Sequence, residues 1–192
     1  MKIINHQKLI CLGLTFGMFL TACTSIQLIS NYDESVDKQA QDLQKKLDTY
    51  FISLQNLQGE PITYKENQKF YEGVLADINA LEARAGIIYK NSLTQEQVHL
   101  VKQNFAYLIL LHKNCINNQP KLTKEQIAII DKKGVDLSLD CNTEFGSPVQ
   151  LSNRGNQSLN RYSIPIIQQN FRTQLAAIMK FELVKKRGEK NK

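Results

Sequence analysis

Over four long stretches of this chain the apolar residues recur at alternating intervals of four and three, the mark of helices that bury one stripe, and strand-like alternation is nearly absent. Val36, Ala40, Leu43, Leu47, Tyr50, Leu54 and Leu57 form the first stripe and predict a helix from about Asn31 to Gln58, roughly 40 Å long. Ser30 reads as its N-cap, with Asp33, Glu34 and Asp37 suited to the positive end of the helix dipole, and Gly59 and Pro61 end it. Tyr71, Val74, Ile78, Leu81, Ala85 and Ile88 predict a second helix from about Tyr64 to Tyr89, antiparallel to the first because the connection is short.

The third stripe is Val98, Val101, Phe105, Leu108, His112 and Cys115. Thr94 with Gln97 reads as a capping box in front of it, and Leu93 with Val98 as the hydrophobic staple across that cap. Leu111 and His112 compete for the seam, and His112 is expected at a rim or helix end rather than as a ligand. The same start phrase returns at Leu122-Thr123-Lys124-Glu125-Gln126-Ile127 and predicts a short helix from Lys124 to Lys133, closed by Gly134. A last helix is expected from Ser163 or Ile164, with Pro165 in its first turn, through Ile167, Phe171, Leu175 and Ile178 to about Lys186, where Gly188 stops it. From Val135 to Tyr162 the chain turns to Gly, Pro, Ser and Asn without periodicity, a long irregular loop. The expected fold is therefore all-α, an antiparallel bundle of four principal helices plus one short helix, occupying residues 31–186.

The start of the chain follows other rules. Lys2 and Lys8 precede an apolar run from Leu9 to Leu20, about 18 Å as a helix and too short for a bilayer core of about 30 Å, so residues 1–22 read as a signal peptide. It ends in Leu20-Thr21-Ala22-Cys23, which resembles the lipobox of bacterial lipoproteins. That resemblance implies cleavage before Cys23 and a lipid anchor on it, with residues 23–30 as a short tether. Two or three acyl chains make such anchoring effectively permanent. In two-membrane bacteria an Asp after the lipidated Cys retains the protein in the inner membrane. Thr24 stands there, so the expected place is the outer membrane, facing the periplasm.

Of the formal charge of +6, the signal carries +2 and Lys185 to Lys192 carries +4, which leaves the body close to neutral. A nucleic-acid partner would require a basic face on the fold itself, so none is expected. The basic end reads as a solvated terminus, with contact to anionic headgroups as the alternative, and residues 187–192 as a tail.

Cys11 leaves with the signal, and Cys115 and Cys141 remain as a pair in an oxidising compartment. A disulfide between them is the expectation, worth roughly 3 to 3.5 kcal/mol in the chain-entropy account. The alternatives are two free buried thiols or a metal site, the latter poorly supplied by His99 and His112 and by the absence of close ligand spacing. Asp131, Asp136, Asp140 and Glu144 invite calcium, but Asp131-Lys132-Lys133-Gly134 breaks the loop pattern. The chain carries no nucleophile elbow, zinc-protease helix motif or phosphate-cradling glycine loop, and its paired carboxylates, Glu66 with Glu72 and Asp77 with Glu82, have the spacing of solvated helix faces. No cofactor, metal site or catalytic residue is assigned.

Ser30-Asn31-Tyr32-Asp33-Glu34 with Asp37-Lys38, the run Val135 to Cys141, and Phe181-Glu182-Leu183-Val184-Lys185-Lys186-Arg187-Gly188 together resemble a group of small helical lipoproteins of bacteria. That resemblance implies an architecture and brings no activity. The expected role is a lipid-anchored envelope protein that is not an enzyme and acts as an accessory or interaction subunit for another envelope protein. The alternative is a periplasmic lipoprotein that binds a small molecule or peptide between bundle and loop.

Overall fold

The computed structural model describes residues 29–57, 62–113, 124–133 and 159–189. Its helices are α1 (Glu34–Asn56), α2 (Tyr64–Ile87), α3 (Ser92–His112), α4 (Lys124–Lys133) and α5 (Ile164–Glu189), the last preceded by a 3₁₀ turn at Arg161–Ser163. The four long helices pack in the cycle α1–α2–α3–α5 and back to α1, while α4 leans on α3. Cross-helix pairs fix the directions: Lys46 with Asp77, Lys102 with Glu82, Thr94 with Glu182, and Arg172 with Asp48 all join positions that run oppositely along the chain. Every neighbouring pair is thus antiparallel, and the expected four-helix bundle with one short helix is the observed fold. Among the described residues no helix is long and apolar enough to cross a membrane.

The predicted stripes form the core. Val36, Ala40, Leu43, Leu47, Tyr50 and Leu54 face Tyr71, Val74, Ile78, Leu81 and Ala85, with Val98, Val101, Phe105 and Leu108 and with Phe171, Leu175 and Ile178 closing the cycle. At about 1.5 to 3 kcal/mol for each large buried side chain, this shared seam, not helix propensity, holds the elements together. Leu57 departs from its stripe and is exposed, because α1 stops at Asn56 and Leu57 is already extended.

Several ends differ from expectation for identifiable reasons. Ser30 does not cap α1; Asp33 does, its Oδ1 accepting from the Val36 N–H at 2.9 Å. That cap is worth about 1 kcal/mol. Helix α3 starts at Ser92, two residues before the expected cap, so Thr94 lies inside its first turn. Its N-cap residue, Asn91, makes no side-chain cap bond because its amide is used elsewhere. Helix α5 runs past Gly188 to Glu189, whose Oε1 accepts from the Tyr32 N–H at 2.6 Å and ties down the last turn. The boundary drawn at residue 186 is therefore not an end of structure. Helix α4 has the bounds that the capping phrase predicted, and α5 starts at Ile164 with Pro165 in its first turn. Cys23, Cys115, Cys141, Gly134, Asp136, Asp140, Glu144 and most of the predicted loop lie outside the described residues.

Candidate functional site

Both ends of the bundle close with a buried polar layer, and each continues the apolar seam. Following α5 along Phe171, Leu175 and Ile178, the next seam positions are Glu182 and Lys185; following α3 backwards from Val98, they are Thr94 and Asn91. All four are buried.

At this first end the Lys185 ammonium donates to Asn91 Oδ1 at 2.6 Å, Thr94 Oγ1 at 3.0 Å and Glu182 Oε1 at 2.5 Å. Its three donors thus meet three acceptors. Thr94 Oγ1 donates onward to Glu182 Oε1 at 3.0 Å, and Glu182 Oε2 accepts from the Asp33 N–H at 3.1 Å. Asn91 Nδ2 donates to the Ala85 carbonyl at 3.1 Å, and the Ser30 hydroxyl donates to Asn91 Oδ1 at 2.9 Å. Lys90 takes a φ of 58°, the left-handed region, and its carbonyl accepts from the Ser30 N–H at 3.0 Å. Arg84 then closes the rim, holding Asp33 Oδ2 at 2.6 Å and Oδ1 at 3.3 Å. The Arg84 guanidinium holds the Asp33 carboxyl below the usual carboxylate range, against a smaller opposing effect of burial. The layer satisfies a buried ion pair completely, the condition under which such a pair is tolerated in a core.

The expectation that Lys185 belongs to a solvated basic end is overturned: it is the centre of this layer. Its neighbours Lys186 and Arg187 are exposed. The stripe itself carried the missed signal, since Phe171, Leu175, Ile178, Glu182 and Lys185 keep the four-three spacing to the end. Ser30 and Asp33, just before α1, and Glu182 and Lys185, near the end of α5, meet here.

At the opposite end the layer is neutral. His112 is the last residue of α3, as expected, but it is fully buried rather than on a rim, and Leu111 is the half-buried one. Its Nε2 lies 2.6 Å from the Ile62 carbonyl and its Nδ1 lies 2.5 Å from the Tyr71 hydroxyl. A carbonyl only accepts, so the proton sits on Nε2 and Tyr71 donates to Nδ1. Burial pulls the His112 pKa down, outweighing the carbonyl's opposite effect, and pushes the Tyr71 hydroxyl far up. Tyr64 stacks on Tyr71 at 5.5 Å, Phe105 tilts against it at 5.8 Å, and Tyr50 meets it edge-on at 6.2 Å. Burial pushes the Tyr50 hydroxyl up to about 12. Among the described residues, the buried Tyr64 hydroxyl has no hydrogen-bond partner.

The other residues considered from sequence fall elsewhere. Asp131 stands 3.2 Å from His99 Nε2 and joins α4 to α3, and the described residues bring together no group of three metal-ligating side chains. Asp77 pairs with Lys46 at 2.8 Å, Glu82 with Lys102 at 2.5 Å, and Glu72 accepts from Gln68 at 3.0 Å. The Lys46 and Lys102 pairs join neighbouring helices, whereas the Gln68–Glu72 bond lies within α2; ion pairs at or near the surface contribute little energy. Glu66 belongs to the Thr63 cap of α2. A scan of protein families, curated proteins and solved structures finds no match to this chain.

Proposed function

We propose that the protein is a lipoprotein of the bacterial cell envelope, anchored through Cys23 in the outer membrane and facing the periplasm, whose bundle acts as an accessory or interaction subunit for another envelope protein. The observation that carries this reading is the run Leu20-Thr21-Ala22-Cys23 behind a basic start and a short apolar core. Only Thr24 to Ile29 lie between the acylated Cys and the buried Ser30, at most about 20 Å of extended chain, so the bundle stays at the membrane. A positioning role rather than a catalytic one fits the chemistry of the two polar layers. Their donors and acceptors are spent on one another inside the core, and both nitrogens of His112 are engaged.

Metabolic labelling with an alkyne fatty acid tests the anchor. The wild-type chain takes up label, and Cys23→Ser abolishes it and leaves the signal uncleaved; equal labelling of the two ends the proposal. Crosslinking in intact cells tests the interaction role, which requires a defined protein adduct.

A second reading, a lipoprotein that binds a small molecule or peptide, draws on a different observation. An open groove of about 440 Å³ lies beside α1, lined by Asp42, Lys45, Thr49, Tyr50, Ser53 and Phe70. Thermal stabilisation of the domain by an envelope ligand, lost in Phe70→Asp, would favour it.

A further inference from the structure

The proposed lipid tether joins the bundle at one end, where exposed apolar and basic side chains occur together. It is built from the start of α1, the turn between α2 and α3, and the last turns of α5, which meet through the Ser30–Lys90, Asp33–Glu182 and Tyr32–Glu189 bonds. The turn projects two large apolar side chains into solvent, Ile87 at 75% and Tyr89 at 76% exposure, and Ile29 beside it is also exposed. Three cations accompany them. Lys90 lies 5.2 Å from the centre of the Tyr89 ring, Lys186 lies 4.7 Å from that of Tyr32, and Arg187 is exposed on the next position of α5. Of the acids at the same end, Glu182 is buried with Lys185, Asp33 is held by Arg84, Glu189 accepts from the Tyr32 N–H and Asp37 from the Tyr32 hydroxyl, while Glu34 and Glu96 are exposed. Lys190 and Lys192 follow in the sequence and add to the positive side.

We infer that this end is a second membrane contact, a face that seats on an anionic bilayer surface with Ile87 and Tyr89 at headgroup depth and Lys90, Lys186 and Arg187 against lipid phosphates. The inference rests on the proposed acylation of Cys23. A tether of at most about 20 Å that ends at Ser30 brings this end, and not the opposite one some 35 Å away along α1, to the lipid. An isoleucine and a tyrosine on the same end of the bundle as exposed lysine and arginine have the composition that favours the interface, the ring body apolar and its hydroxyl wet. The consequence is orientation. A lipid anchor alone leaves a domain free to swing, whereas a seated end stands the helices upright and presents the groove side and the far end to the periplasm.

The chain has no tryptophan, so Tyr89→Trp introduces a sole reporter, and Tyr162→Trp, at a site 89% exposed on the opposite end, is its control. Each full-length lipidated variant is reconstituted into phosphatidylethanolamine–phosphatidylglycerol vesicles and into phosphatidylcholine vesicles, with brominated acyl chains as quencher. The expected result is emission shifted to the blue and quenched for Tyr89→Trp in the anionic vesicles, weaker in phosphatidylcholine, with Tyr162→Trp unmoved in both. A lysine or arginine near an anionic surface is worth about fivefold in partition, so adding Lys186→Gln and Arg187→Gln to the Tyr89→Trp chain lowers the ratio of seated to lifted domain about thirtyfold. Quenching that is the same for both reporters, or absent from both, overturns the inference. So does a blue shift that follows protein concentration rather than lipid, which would assign the face to a second copy. Intact mass reads acylation separately. If Cys23 carries no lipid the anchoring proposal fails, and the unacylated Tyr89→Trp chain mixed with the same anionic vesicles still decides the surface: a blue shift upholds it and an unchanged spectrum rejects it.

Discussion

Where α1 begins, the last layer of the core is a lysine, a carboxylate, an amide and a hydroxyl; where α1 stops, it is one imidazole between a tyrosine hydroxyl and a backbone carbonyl. Both layers do the same job, locking the crossing segments at a helix end to the seam. They differ in what happens when one member is lost. Removing one partner of a buried ion pair strands a charge in the interior, while removing one partner of a neutral hydrogen bond strands only a dipole. The charged layer specifies its partners strictly because it tolerates no half measure, and the neutral layer is forgiving.

The sharpest way to break that contrast is at Lys185. Lys185→Met leaves Glu182 buried without its cation and is expected to cost about 3 to 5 kcal/mol in chemical denaturation, whereas the double change Lys185→Met with Glu182→Leu restores most of the loss. A single variant within about 1 kcal/mol of wild type would erase the distinction between the two ends. Tyr71→Phe at the other end removes the donor to His112 Nδ1 and is expected to cost about 1 to 3 kcal/mol, with the helical circular dichroism unchanged. The finest test is pH. His112 is held neutral by burial, so below about 6.5 the unfolded chain binds a proton that the folded chain refuses. Stability is therefore complete above that value and declines as pH falls towards the lowered folded pKa, by at most about 1.4 kcal/mol per unit. In His112→Gln this part of the slope disappears. Its persistence there would place the acid sensitivity elsewhere.

The same contrast explains what the sequence revealed. The seams of α1, α2, α3 and α5 were legible because periodic apolar residues have one economical use, burial against one another, and Leu43, Ile78, Val101 and Leu175 are found there. Helix α4 was legible to the residue from its capping phrase. Polar seam positions were not, because a lysine in Val184-Lys185-Lys186-Arg187-Gly188 looks like any lysine of a basic terminus until α3 is placed beside it. Thr94 misled for the same reason: a threonine before an apolar run suits a cap, yet a buried carboxylate at 3.0 Å makes a stronger claim on its hydroxyl. His112 was placed correctly at a helix end but not in the interior, since its partner Tyr71 is 41 positions away and the Ile62 carbonyl 50.

The bond from the Asp33 N–H to Glu182 has a consequence for how the chain reaches this state. It spans 149 positions, nearly the full length of the bundle's sequence. The first turn of α1 leaves the ribosome early, yet the carboxylate that accepts from the Asp33 N–H, and the lysine that neutralises that carboxylate, emerge among the last. A chain shortened before Glu182 lacks the carboxylate and the lysine at once, and Asp33, Asn91 and Thr94 are left as an open polar layer. Closure is therefore a late event, in which the last-made turns of α5 fasten the part of the bundle that was made first.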